Sequence, residues 1–73
     1  MKSYRFVRKL PGGSTFILGT AVQLPEGQLP EGWIFVPTVF GHRPSRKRYA
    51  TREKCLPRWI GYPDRCESFE VSS

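Results

Sequence analysis

Chemistry-bearing residues are scarce in this chain: it has one histidine, His42, two cysteines, Cys55 and Cys66, and six carboxylates. A serine or cysteine nucleophile needs a positioned base and an orienting group, and the sole histidine sits in a Gly-His-Arg-Pro stretch with no carboxylate beside it. Glu26 and Glu31 fall in turn sequences, where glutamate is ordinary solvent-facing decoration rather than half of a catalytic pair. Pro11-Gly12-Gly13-Ser14 lacks both the glycine spacing and the Lys-Ser/Thr ending of a phosphate loop. Two thiols and one imidazole fall a ligand short of a closed tetrahedral zinc site, so neither metal nor cofactor is expected. Whether Cys55 and Cys66 pair is left open by their ten-residue gap, although a reducing compartment favours idle thiols. The reading is a protein that is not an enzyme and has no evident small-molecule substrate.

Long apolar runs are also missing. None approaches the roughly 18 to 20 residues of a membrane span, and Met1-Lys2-Ser3-Tyr4-Arg5 opens onto alternating residues rather than an apolar signal block. A cytoplasmic protein without membrane attachment is expected. With 73 residues the chain makes one small domain that buries roughly 60% of its unfolded surface, which leaves little room for an enclosed active site. Hydrophobic content of 38% and ten aromatics suffice for a compact core.

What the chain does hold is positive charge, unevenly placed. Twelve Lys and Arg give a net charge of +6, and residues 42–58 alone carry seven of those cations against one carboxylate. A field strong enough to select an anionic partner can therefore arise from one side of the domain. Lys2, Arg5, Arg8 and Lys9 form a second basic region, which joins Arg43, Arg46, Lys47 and Arg48 in one patch if the N-terminal strand folds beside the loop.

The pattern predicts an α+β fold: a three-stranded antiparallel sheet packed by one short C-terminal helix, in β-β-β-α order. A fourth strand arises if Lys47 to Ala50 pairs beside the third. The domain spans residues 1–62, with 63–73 an extended or disordered tail whose Phe69 and Val71 offer a further strand or lid. Tyr4 to Leu10 alternates imperfectly and reads as an edge strand. The Pro-Gly-Gly-Ser turn makes a hairpin into Thr15 to Leu24, where Phe16, Leu18, Val22 and Leu24 share one face, Ile17 and Ala21 the other, and Gly19 marks a bulge. Leu24-Pro25-Glu26-Gly27 and Leu29-Pro30-Glu31-Gly32 repeat one turn sequence and reverse the chain. Trp33 to Phe40 is a nearly apolar strand that Pro37 consigns to an edge or a bulge.

Thr51 suits a helix N-cap, and helical spacing brings Cys55, Leu56, Trp59 and Ile60 to one face. Pro57 falls inside that helix, so a two-piece element is expected, with Pro57 opening a second turn that ends at Gly61.

One short helix covers one face of such a sheet. Strands two and three are apolar on both faces, which leaves Ile17, Ile34, Val36 and Phe40 as a protein-interface patch.

Two functions follow. The first is nucleic-acid binding, to DNA or RNA, by Arg43, Arg46, Lys47 and Arg48 in the loop and Arg52, Lys54 and Arg58 along the helix, with Tyr49 or Trp33 stacking on unpaired bases. The alternative is a small interaction or regulatory protein, an adaptor or inhibitor, that docks on a protein partner or forms a homodimer through exposed aromatics.

The run from Gly32-Trp33-Ile34-Phe35 through Ser45-Arg46-Lys47 to Cys55-Leu56-Pro57-Arg58-Trp59-Ile60-Gly61-Tyr62-Pro63 resembles short reading frames of bacteria and their phages. That resemblance covers the C-terminal half and implies a prokaryotic cytoplasm and an accessory role, but no activity, fold or site.

Overall fold

The structure, a computed structural model, describes residues 2–24 and 32–71; the tandem Pro-Glu-Gly turns read from sequence fall largely outside them. Four strands form one antiparallel sheet: β1 (Ser3–Lys9), β2 (Thr15–Leu24), β3 (Gly32–Pro37) and β4 (Glu67–Val71), in the order β3-β2-β1-β4. The first turn follows its sequence. Gly13 N donates to Leu10 O across Pro11 and Gly12, and Leu10 N donates to Ser14 O at 2.8 Å, closing the β1–β2 hairpin.

The α+β expectation is overturned: among the described residues the fold is all-β, and its one helical element is a 3₁₀ turn, Arg58–Ile60. Thr51 does cap, its Oγ1 accepting from Lys54 N at 3.2 Å, and Leu56 N reaches Glu53 O at 3.4 Å. Propagation stops there. Pro57 has no N–H for the Glu53 carbonyl, its ring clashes one turn back, and it biases Leu56 away from α geometry. One turn cannot recover the cost of helix nucleation. The chain leaves it in extended geometry at Pro57 (φ −71°, ψ 158°), makes the 3₁₀ turn, and ends in a left-handed Gly61, the stop its sequence predicts.

The irregular segment 38–66 nevertheless covers one sheet face. Phe6, Leu18, Ala21, Trp33 and Phe35 from the sheet meet Cys55, Ile60 and Cys66 from the cover, with Leu56, Trp59 and Tyr62 packed around them. Edge-to-face contacts Phe6–Tyr62 (5.2 Å) and Phe35–Trp59 (6.1 Å) hold the layers together, and Phe6–Phe35 (6.2 Å) links β1 to β3 within the sheet.

Two sheet details differ from the sequence reading. β1 is an inner strand, because residues 67–71 pair along it from Ser3↔Val71 to Val7↔Glu67. The bulge lies where Gly19 suggested, since Phe6 pairs with Gly19 but Val7 with Ile17, leaving Leu18 as the extra residue. One extra residue reverses the side-chain alternation beyond it. Ala21 thus joins Leu18 in the core, and Val22 moves to the face of Ile17.

That second face carries Val7, Ile17, Val22, Ile34, Val36, Phe69 and Val71, as the registers Val7↔Ile17, Ser3↔Val22, Val22↔Ile34, Thr20↔Val36 and Arg5↔Phe69 require. None of the residues that meet the cover lies on it, although Val7 on the inner strand β1 is itself buried at 6% exposure. Ile17, Val36 and Phe69 are exposed.

Candidate nucleic-acid interface

The basic segment does not hang free; it is pinned along the outer edge of β3. Ser45 N donates to Phe35 O at 3.0 Å, and Phe35 N donates to Ser45 Oγ at 3.0 Å. Two residues earlier on β3, Trp33 N donates to Tyr49 O (2.7 Å) and Tyr49 N to Trp33 O (2.9 Å), an isolated antiparallel bridge where the sequence allowed a further strand. Residues 45–49 thus span the edge that residues 33–35 cover. The two surplus residues force Arg46, Lys47 and Arg48 outward as an arch, and all three are exposed. The same bonds use up the edge donors and acceptors that an unprotected strand leaves open.

Gly32 permits this closure. Its φ is +135°, and a Cβ there would lie 2.6 Å from Tyr49 O, so no other residue lets the loop approach so closely.

The predicted cations do not all gather here. Arg43 precedes the arch and is exposed, as are Lys54 and Arg58 in the cover. Arg52 is spent internally: its guanidinium lies 3.6 Å from the centre of the Tyr4 ring, and its Nε is 3.5 Å from Glu53. The N-terminal cations do not join the loop, because β2 separates β1 from β3. Arg8 donates to Ile60 O at 3.4 Å under the cover, Lys9 pairs with Glu67 at 3.4 Å, and Arg5 lies on the open face. Among the described residues Arg43, Arg46, Lys47, Arg48, Lys54 and Arg58 have no carboxylate partner.

The aromatics also change roles. Trp33 is buried and packs on Tyr4 (5.8 Å), while the Tyr49 ring is half-buried against the core, so neither is free to stack on a base. Phe40 is free. Thr38 anchors the strand end through N to Leu18 O and Oγ1 to Ile17 O, and a turn closes by His42 N to Val39 O at 3.3 Å with Gly41 at φ +92°. Phe40 at its tip is 102% exposed. It therefore leaves the interface patch, where Ile17, Ile34 and Val36 remain together on the open sheet face. His42 stacks on Trp59 at 4.3 Å behind that turn. The sequence signal for Phe40 was its place before Gly41, which makes it a turn residue and not a strand residue.

Cys55 and Cys66 are free and buried. Cys55 Sγ donates to Arg52 O at 3.0 Å, and burial pushes its pKa from 9.0 up to about 11. Burial also raises that of Cys66. Among the described residues no three His, Cys, Asp or Glu side chains form a metal cluster, and no helix is long and apolar enough to cross a membrane.

The folded state holds the Cys55 proton more tightly than the unfolded chain, so this contribution is complete below pH 9.0 and is lost as pH rises towards about 11. Denaturant midpoints should fall across that window, and less steeply in Cys55→Ala. Equal slopes would show that the Cys55 thiol contributes nothing to the pH dependence of stability.

Comparison with protein-family models, curated proteins and solved structures yields no match.

Proposed function

We propose that the protein binds nucleic acid through the arch at Arg46-Lys47-Arg48, with Arg43, Lys54 and Arg58 as further phosphate contacts and Phe40 as a stacking platform. The observation that carries this reading is the arch itself: three adjacent exposed cations, pinned at both ends and without carboxylate partners among the described residues. Pinning lowers the entropy lost on binding, and unneutralised side chains are available to displace counterions from phosphates. An exposed aromatic in the turn that precedes the arch favours single strands, whose unpaired bases offer a π face at every position.

Retention on immobilised single-stranded and duplex DNA and RNA across a salt series tests it. Six phosphate contacts give a slope of log affinity on log salt near −4 for single strands and about −5 for duplex DNA. Charge reversal of Arg46, Lys47 and Arg48 should cut the slope by about half and weaken every sequence alike, as phosphate contacts carry no sequence information. Phe40→Ala should weaken single-strand binding about 5- to 100-fold and spare duplex binding. A flat salt response in the parent chain defeats the reading.

A further inference from the structure

The open sheet face is where the positive charge is not. Of the twelve cations only Arg5 and Lys9 occupy register positions on it, and Lys9 is paired with Glu67 at 3.4 Å. The rest is Val7, Ile17, Val22, Ile34, Val36, Phe69 and Val71, with Ser3, Thr15 and Thr20 among them. Arg5 Nε is buried there with no hydrogen-bond partner among the described residues, as Arg8 Nε and Arg52 Nε are elsewhere in the fold.

We propose that a second copy of this chain covers the face, forming a two-fold β-sandwich dimer. Charge selects the occupant. A chain of net charge +6 repels its own kind over most of its surface, and this near-neutral face is where two copies meet at least electrostatic cost. An acidic partner, by contrast, is drawn to the β3 edge and not to a face with one unpaired cation. Shape agrees: a twisted antiparallel sheet packs face to face on another at about 30° with about 10 Å between layers, and an identical sheet meets that requirement without further specialisation.

Size also agrees. Four strands at about 4.8 Å and about six residues at 3.3 Å make a face of roughly 19 by 20 Å, about 400 Å² in projection before side-chain relief is added. This falls below the lower end of specific interfaces, roughly 600 Å² per partner, before side-chain relief is counted, so the dimer should be weak and reversible, and the test covers dissociation constants in the micromolar range. Pairing through this face leaves the β3-edge arches uncovered, so a dimer presents two cationic arches.

Sedimentation equilibrium without nucleic acid tests the proposal, in about 1 M salt to screen charge repulsion. The mass should move from 8.4 kDa towards twice that value between about 5 and 500 µM protein. Ile17→Glu and Val36→Glu, at positions 42% and 37% exposed, should hold the mass at one chain, while Phe40→Glu, off the face, should dimerise as the parent does. Should the sheet variants fail to fold, amide shifts of the parent on dilution take their place: residues 17, 22, 34 and 36 should move and residues 43–48 should not. A parent mass of one chain at about 500 µM, a dimer that survives both folded sheet variants, or dilution shifts confined to the loop overturns it. Because no nucleic acid is present, failure here leaves the salt-series result untouched.

Discussion

Gly19→Ala should destabilise the domain by about 3 kcal/mol, the upper end of what overpacking a core costs. A Cβ at this position collides with the Phe35 ring, coming within 2.8 Å of Cε2 and 2.7 Å of the Val36 carbonyl oxygen. Neither obstacle can yield cheaply. Phe35 is 1% exposed and locked between Phe6 and Trp59, and Val36 O belongs to the β3 backbone facing the bulge. Relieving the clash would separate β2 from β3 or expel the ring from the core. In a domain of this size each kcal/mol lowers the thermal midpoint by about 4–8 °C, so a fall of at least about 12 °C is expected. A midpoint within about 2 °C of the parent would mean that the strands separate freely and that the bulge is not a tight junction.

Phe6→Ala should cost about 3–5 kcal/mol, and Phe40→Ala less than about 0.5 kcal/mol. The two changes are chemically identical, so the contrast isolates position. Phe6 is fully buried at the centre of the sheet and touches both layers, through Phe35 on β3 and Tyr62 in the cover. Its removal leaves a cavity that rigid rings on both sides cannot fill. A 73-residue domain has roughly 4–11 kcal/mol of stability in total, so Phe6→Ala should remove about a quarter of it at the least and all of it at the most. Phe40 loses no packing, because it has none to lose. Denaturant melts of both variants make the comparison, and equal losses would contradict the placement of Phe40 at an open turn.

The same contrast separates what a local pattern conveys from what it cannot. Cys55, Leu56, Trp59 and Ile60 were grouped by helical spacing, and all four reach the core although the helix is absent. A single capped turn before Pro57 and a 3₁₀ turn after it still present those side chains to the sheet. The bulge at Gly19 was legible too, but its effect on alternation was not. Whether Ala21 or Val22 faces inward depends on where β1 holds its register, a pairing between strands rather than a property of either.

Pro11-Gly12, Gly19, Pro37, Pro57 and Gly61 determined the turns, the bulge, the strand end and the broken helix, because each limits or frees its own backbone angles without reference to the rest of the chain. The twelve cations likewise determined that an anion-attracting surface is available. Only the folded chain decided which cations compose it. Arg8 and Arg52 are drawn into internal contacts, Arg5 and Lys9 stay on β1 beyond β2, and Arg46, Lys47 and Arg48 are driven outward by two pairs of hydrogen bonds at the β3 edge. The pairing of β4 with β1 was decided there as well, between residues sixty or more apart in sequence. Those outcomes rest on contacts between distant segments, and the free energy of such contacts exists only once the chain has brought them together.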